Sequence, residues 1–196
     1  MTTDFSHIKE EIRMLGFDDA PFTFDDKEVL VVGAVTRKHH LDGVISTKVT
    51  VDGDDATERL TSLVLNSRHY EQIRVIMLKG ITLGGFNIVD ITELGEKTEL
   101  PIIVVMRKKP DMESMKKALE QFDDAKKRWD RVKRAGNIFI FNYKRSKIYL
   151  QSYGVSKEAA INLVKLSLYR GVVPEPIRLA HIIARGVTLG ESMGRA

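Results

Sequence analysis

Cysteine is absent from the 196 residues, which excludes disulfide frameworks, zinc–thiolate sites, iron–sulfur clusters and thiol nucleophiles. No apolar run approaches the roughly 18–20 residues needed to cross a bilayer. No serine sits in a G-x-S-x-G setting, and nothing suggests a Ser/His/Asp nucleophile. The stretch Met1 to Glu11 is polar and lacks the apolar core of a secretory signal. These absences lead to the expectation of a soluble, cytoplasmic protein without a membrane partner. No internal repeat, linker or low-complexity tract divides residues 1–196, so one domain is expected. A chain of this length with 43% apolar content should bury roughly 70% of its unfolded surface in a sizeable core.

The charge is uneven. Lys plus Arg is 31 against 27 acids, a net of +4. Between Arg107 and Lys147 there are 14 basic and 6 acidic residues, so the remainder carries a net of −4. A basic third beside an acidic remainder suits a protein that holds a polyanion around a carboxylate-rich centre. The alternative is that Lys116, Lys117, Lys126, Lys127, Arg128, Arg131, Lys133 and Arg134 solvate a helix. Met115, Leu119, Phe122, Trp129 and Val132 recur among them near helical spacing.

Residues 10–17 read as a first strand, ending at Asp18, Asp19 and Pro21. Residues 28–37 form a second, valine-rich strand. A turn over His39 to Gly43 leads to a third, from Val44 to Val51, with β-branched residues at most positions. The short links imply an antiparallel meander. Asp52-Gly53-Asp54-Asp55 then opens a helix, with Asp55 and Glu58 spaced as a capping box. Strand–helix alternation follows: an unbroken apolar strand at Ile73–Leu78, a glycine-rich loop, a helix near Ile88–Lys97, a strand at Pro101–Met106, and one or two basic helices over Asp111–Arg134. A late hairpin (Ile138–Tyr143 with Lys147–Ser152) and two helices (Ser156–Tyr169 and about Glu175–Arg185) complete the chain. This order is that of a ribonuclease H-like α/β fold. Three antiparallel strands are continued by parallel ones, with helices on both faces and an appended hairpin.

In such a sheet, acids at the ends of central strands can converge on divalent cations. Two Mg²⁺ or Mn²⁺ ions about 4 Å apart need several carboxylates, because hard cations prefer oxygen. The candidates are Asp18, Asp19, Asp52, Asp54 and Asp55. Turn and capping roles compete for each, most strongly for Asp54 and Asp55. The fourth strand ends in Lys79, whose charge can replace an ion or hold a phosphate. Gly80 opens a loop at a helix entrance whose N–H groups could face an anion, although its spacing is not that of a Walker loop. His181 shares a helical face with Arg178 and Arg185, and is either a satisfied core histidine or a ligand or proton donor.

The stretches GFDDAPF, STKVTVDGDDATERL, VIMLKGIT with GGFNIVD, the strand running into VVMRKKPD, and PEP with RLAH resemble an uncharacterised archaeal protein family distantly related to endonuclease V. The similarity to endonuclease V itself is patchier. Gly16-Phe17-Asp18 matches that enzyme's first-strand G-x-D, which implies a central metal-binding role for Asp18. Its strand ending in a lysine resembles Pro101 to Lys108, implying phosphate contacts for Arg107, Lys108 and the adjoining Lys109. His181 falls where the enzyme carries a histidine or aspartate near its metals. The enzyme's second aspartate lands on Lys79-Gly80, and its glutamate reaches Asp52 only with a shift. Its histidine falls near Gly85, and its aromatic, proline-rich wedge lands on His40 to Gly43.

The resemblance thus implies a nucleic-acid-binding protein, for DNA or RNA, with a degenerate or altered nuclease site. The alternative is an active Mg²⁺- or Mn²⁺-dependent phosphodiesterase in which Asp18, Asp52 and Asp19 hold metal, Lys79 contacts phosphate and His181 assists at the metal or leaving oxygen. A small-molecule phosphate enzyme or an interaction scaffold would use the same pocket.

Overall fold

A computed structural model describes residues 11–23 and 25–192. Most of the polar Met1–Glu11 stretch, and the first residue of the expected opening strand, lie outside them. The strands are β1 (Arg13–Asp19), β2 (Glu28–Arg37), β3 (His40–Thr50), β4 (Ile73–Lys79), β5 (Thr82–Leu83), β6 (Asn87–Ile88), β7 (Ile102–Met106), β8 (Phe139–Tyr143) and β9 (Ser146–Tyr153). The helices are α1 (Ala56–Leu65), α2 (Ile91–Thr98), α3 (Met112–Leu119), α4 (Ala125–Arg134), α5 (Lys157–Ser167) and α6 (Glu175–Leu189).

The strands form a seven-stranded mixed sheet in the order β3-β2-β1-β4-β7-β9-β8. The meander β1–β2–β3 is antiparallel, whereas β1, β4 and β7 run parallel. The parallel strands are apolar on both faces because helices cover both. Leu15, Phe17, Ile76, Leu78, Ile102 and Val104 pack with α1 and α2 residues such as Leu60 and Leu94. On the other face, Met14, Val75, Met77 and Ile103 meet Leu163 and Val164 of α5 and Ile177 of α6.

Several local expectations need correction. The late hairpin is not an appendage, because β9 pairs antiparallel with β7 and extends the main sheet. The turn between β2 and β3 is only Lys38-His39, and pairing resumes at once with Arg37 opposite His40. The helix expected from Ile88 starts at Ile91, since Asn87 and Ile88 pair with Leu83 and Thr82. Asp90 caps it, accepting from the N–H groups of Thr92 and Glu93, both at 3.2 Å. Asp55 does not cap α1. Its carboxylate accepts from the Thr50 N–H and the Asn87 amide, while Asn87 Oδ1 takes the Ala56 N–H at 3.0 Å. The basic segment breaks into α3 and α4 where Phe122 turns onto Phe86 (5.7 Å between ring centroids) and beneath the Arg128 guanidinium.

Candidate functional site

Parallel pairing of β1 with β4 places Phe17 opposite Leu78, so Asp18 and Lys79 emerge together at one end of the sheet's centre. Side chains alternate along β1. Met14, Gly16 and Asp18 share the face beneath α6, while Leu15, Phe17 and Asp19 share the other. Gly16 is required for the approach of α6, because a Cβ there would overlap the backbone of Pro176 and Ile177. The helix starts with Pro176 in its first turn, where the missing N–H costs nothing. Buried Glu175 grips Arg178 through two contacts at 2.8 and 2.5 Å. Ile177 then packs on the sheet, and His181, one turn later on the same face, reaches Asp18.

The result is a three-membered cluster. Asp18 Oδ2 lies 2.7 Å from His181 Nδ1 and 3.1 Å from Lys79 Nζ, and Nζ lies 3.4 Å from the same ring nitrogen. The Asp18 side chain is 4% exposed and that of Lys79 37%. A buried carboxylate therefore meets a cation that still touches solvent. The shorter contact assigns the His181 proton to Nδ1, donating to Asp18, which leaves the Nε2 lone pair free. The other carboxylate oxygen accepts the Asp19 N–H at 3.1 Å.

The remaining candidate acids go elsewhere. Asp19 accepts the Gly84 N–H at 2.8 Å. Burial, reinforced by the neighbouring Asp18 charge, pushes its carboxyl up to about 6, against the lowering effects of the Gly84 hydrogen bond and Lys79. Asp52, with a left-handed φ of 53°, accepts the Phe86 N–H at 2.7 Å and donates its own N–H to Gly84 O at 2.8 Å. Asp19 and Asp52 thus anchor the glycine-rich loop from two sides. Asp54 pairs with Lys127 and Arg131. The Gly80 N–H bonds to Val105 O at 3.2 Å, so Gly80, Gly84 and Phe86 all have their N–H groups engaged within the chain. Arg107, Lys108 and Lys109 are exposed just beyond β7, whose Val105 pairs with Lys79.

Asn87 and Arg128 escaped the sequence reading. Asn87 is fully buried and ties the start of α1 to Thr50 and Asp55. Arg128, 5% exposed, donates to the carbonyls of Phe86 and Asp52 at 2.6 and 2.9 Å. A polar residue inside the apolar-flanked GGFNIVD stretch was the available signal for Asn87. Arg128 lay hidden among its basic neighbours.

The donor set bears on metal. Among the described residues, no group of three or more His, Asp or Glu side chains is arranged to hold an ion. Asp18 and Asp19 face opposite sides of the sheet, and Asp52 is committed to the loop. Both Asp18 oxygens are already engaged, one by the Asp19 N–H and the other by Lys79 and His181, so the cluster presents no ready seat for a cation. A two-ion centre built from Asp18, Asp19 and Asp52 does not match this geometry.

The fold is ribonuclease H-like, of the kind seen in endonuclease V structures. The chain belongs to the family described as Endonuclease dU, whose model matches residues 10–188. A UPF0215 protein of Methanothermobacter thermautotrophicus is 55% identical, covering 98% of this chain and 96% of its own. The crystal structure of an Archaeoglobus fulgidus protein of unknown function is similar at a TM-score of 0.82 and 42% identity, covering 90% of this chain and 98% of that one. Ciona intestinalis endonuclease V, in complex with DNA containing an inosine, shares the fold at a TM-score of 0.61 and 15% identity, covering 91% of this chain and 86% of that one. Among the described residues, no helix is long and apolar enough to cross a membrane.

Proposed function

We propose that this protein is a nucleic-acid endonuclease that hydrolyses a phosphodiester bond at the Asp18–Lys79–His181 cluster, acting on DNA that contains deoxyuridine. The observation that carries the reading is the convergence of Lys79 and His181 on one buried carboxylate at the ends of β1 and β4. The substrate follows from the family's description. It is supported by the inosine-containing DNA bound to the fold relative, since uracil and hypoxanthine are both deaminated bases.

In this reading Asp18 holds His181 through Nδ1, so that Nε2 can give and take a proton at the leaving oxygen or the attacking water. Lys79 keeps a fixed positive charge where the phosphate's negative charge grows, replacing one of the two ions of a two-metal site. Were Mg²⁺ or Mn²⁺ to bind with the substrate phosphate, Asp18 would be the carboxylate nearest to hold it, and the ion would supply charge neutralisation there. Arg107, Lys108 and Lys109 contact phosphates beside the cleaved bond. Asp19 and Asp52 shape the loop over the site rather than bind metal.

The test is incubation of the protein with Mg²⁺ or Mn²⁺ and duplex or single-stranded oligonucleotides carrying one deoxyuridine, one deoxyinosine or neither. Strand scission at or beside deoxyuridine is expected. Binding of these oligonucleotides without scission under any metal would favour the second reading, a binding protein, for which Lys79 against Asp18 is the supporting observation.

A further inference from the structure

The basic third of the chain divides into two physically different parts. On α3 and α4 most of the charge is already neutralised. Lys127 and Arg131 close on Asp54, Arg128 on Asp124, Lys133 on Asp130 and Arg134 on Asp90. Arg128 and Arg131 are buried, at 5% and 7% exposure, and Lys116 sits over the Trp129 ring. Arg128, Arg131 and Arg134 fasten α4 to the segment around β6 through Phe86, Ile88 and Asp90.

The other part lines a cleft of about 410 Å³ between the end of β7 and the hairpin β8–β9. Arg107, Lys108, Lys109 and Lys147 line it with Tyr149, and among the described residues no carboxylate does. Lys108, Lys109 and Lys147 are exposed and have no ion-pair partner among the described residues. The hairpin tip adds Lys144 and Arg145, also exposed. Sheet register connects this cleft to the cluster at Asp18. Lys79 pairs with Val105 on β7, and Met106 pairs with Tyr149 on β9. Two strand spacings, about 10 Å, separate the Lys79 and Tyr149 backbones at one end of the sheet, Lys79 on one face with Val105 and Tyr149 on the other with Met106, so a nucleic-acid strand that reaches both runs across the strand ends.

We propose that this cleft holds the sugar–phosphate backbone of the strand flanking the cleaved bond, with Lys108, Lys109 and Lys147 as its phosphate contacts. The highly basic helices α3 and α4 are then structural and make little contact with the polyanion. The direction of the strand rests on the endonuclease reading; the cleft's affinity for a phosphate backbone does not. Clustered, uncompensated lysines gain from counterion release, whereas a guanidinium already closed on a carboxylate does not.

The test compares two triple variants of equal charge change: Lys108→Ala/Lys109→Ala/Lys147→Ala in the cleft and Lys127→Ala/Lys133→Ala/Arg134→Ala on α4, whose charges are closed on carboxylates. Fluorescence anisotropy follows binding of a labelled single-stranded oligonucleotide across a salt series without divalent metal. Circular dichroism checks that both variants fold. The cleft variant should lose about 2 from the slope of log affinity against log salt, and the helix variant under about 0.5, at about 0.7 per phosphate contact. Equal losses in both variants, or an unchanged slope in the cleft variant, would overturn the proposal. Wild-type protein without scission but with the expected slope change would sink the endonuclease reading and leave the cleft standing. Scission with an unchanged slope would do the reverse.

Discussion

His181 Nδ1 lies 2.7 Å from Asp18 Oδ2 although the two residues are 163 positions apart in the chain. The contact exists because α6 crosses β1 at Gly16, where the strand offers no side chain to hold the helix away. Gly16→Ala should therefore act on the site at a distance. The added Cβ overlaps helix backbone, and overpacking of this kind costs about 1–3 kcal/mol. The variant should show a lower urea midpoint, and its scission should fall further than its oligonucleotide binding, because His181 is displaced from Asp18. Unchanged midpoint and scission would mean that α6 does not depend on this approach.

Lys79 sets a positive charge against the buried Asp18 carboxylate, and reversing that charge tests whether it stands in for a cation. Lys79→Asp puts a second carboxylate beside the buried Asp18. In chelator the variant should melt below the wild type, because a charge pair becomes a repulsion. Millimolar Mn²⁺ should then raise its melting temperature by an increment that wild type does not show, since ligand binding to the native state stabilises it. Equal Mn²⁺ responses would show that Lys79 does not occupy a cation position.

Asn87 carries three hydrogen bonds in a fully buried place, joining Ala56, Thr50 and Asp55. Asn87→Ala leaves the first N–H of α1 without its partner and removes one of the donors to the Thr50 carbonyl, which keeps the Gly53 N–H. The expected loss is about 2–4 kcal/mol in equilibrium unfolding. Asp55→Ala should cost less, because Asn87 still caps the helix.

The raised carboxyl of Asp19 sets a pH dependence of unusual sign for an aspartate. Its folded value, about 6, lies above the ordinary 3.8, so between those values the folded state binds the extra proton. The group's contribution to stability is fully present below pH 3.8 and is lost as pH rises through about 6. Asp19→Asn keeps an acceptor for the Gly84 N–H and removes the titration. In metal-free buffer, unfolding free energies at pH 4 and pH 7 should show the variant gaining on wild type as pH rises, by about 1–3 kcal/mol. A constant difference across that range would place Asp19's ordinary titration in the folded protein.

Much of the fold could be read from residue patterns. Valine-rich β2 and the unbroken apolar runs of β4 and β7 mark a sheet covered on both faces, and the meander followed by crossovers orders it. The hairpin's attachment to β7 could not be read, since antiparallel pairing of β7 with β9 across a 39-residue interval leaves no local trace. Asp18, Lys79 and His181 were each visible as candidates, but their convergence depends on the crossing of α6 over Gly16. The acids misled for a simple reason. A carboxylate that anchors a glycine-rich loop, as Asp52 and Asp19 do, looks in sequence like one that holds a metal.

The most direct measurement is scission of a deoxyuridine-containing oligonucleotide by wild type and by Asp18→Asn at matched, saturating protein and Mn²⁺. The amide keeps the shape of the side chain and removes its charge, so folding and strand binding should persist. A fall of ~10²–10⁴-fold in the rate of scission, with binding within a few-fold of wild type, is the predicted result. Scission at the wild-type rate by a folded Asp18→Asn protein would contradict the assignment of this cluster as the reacting centre.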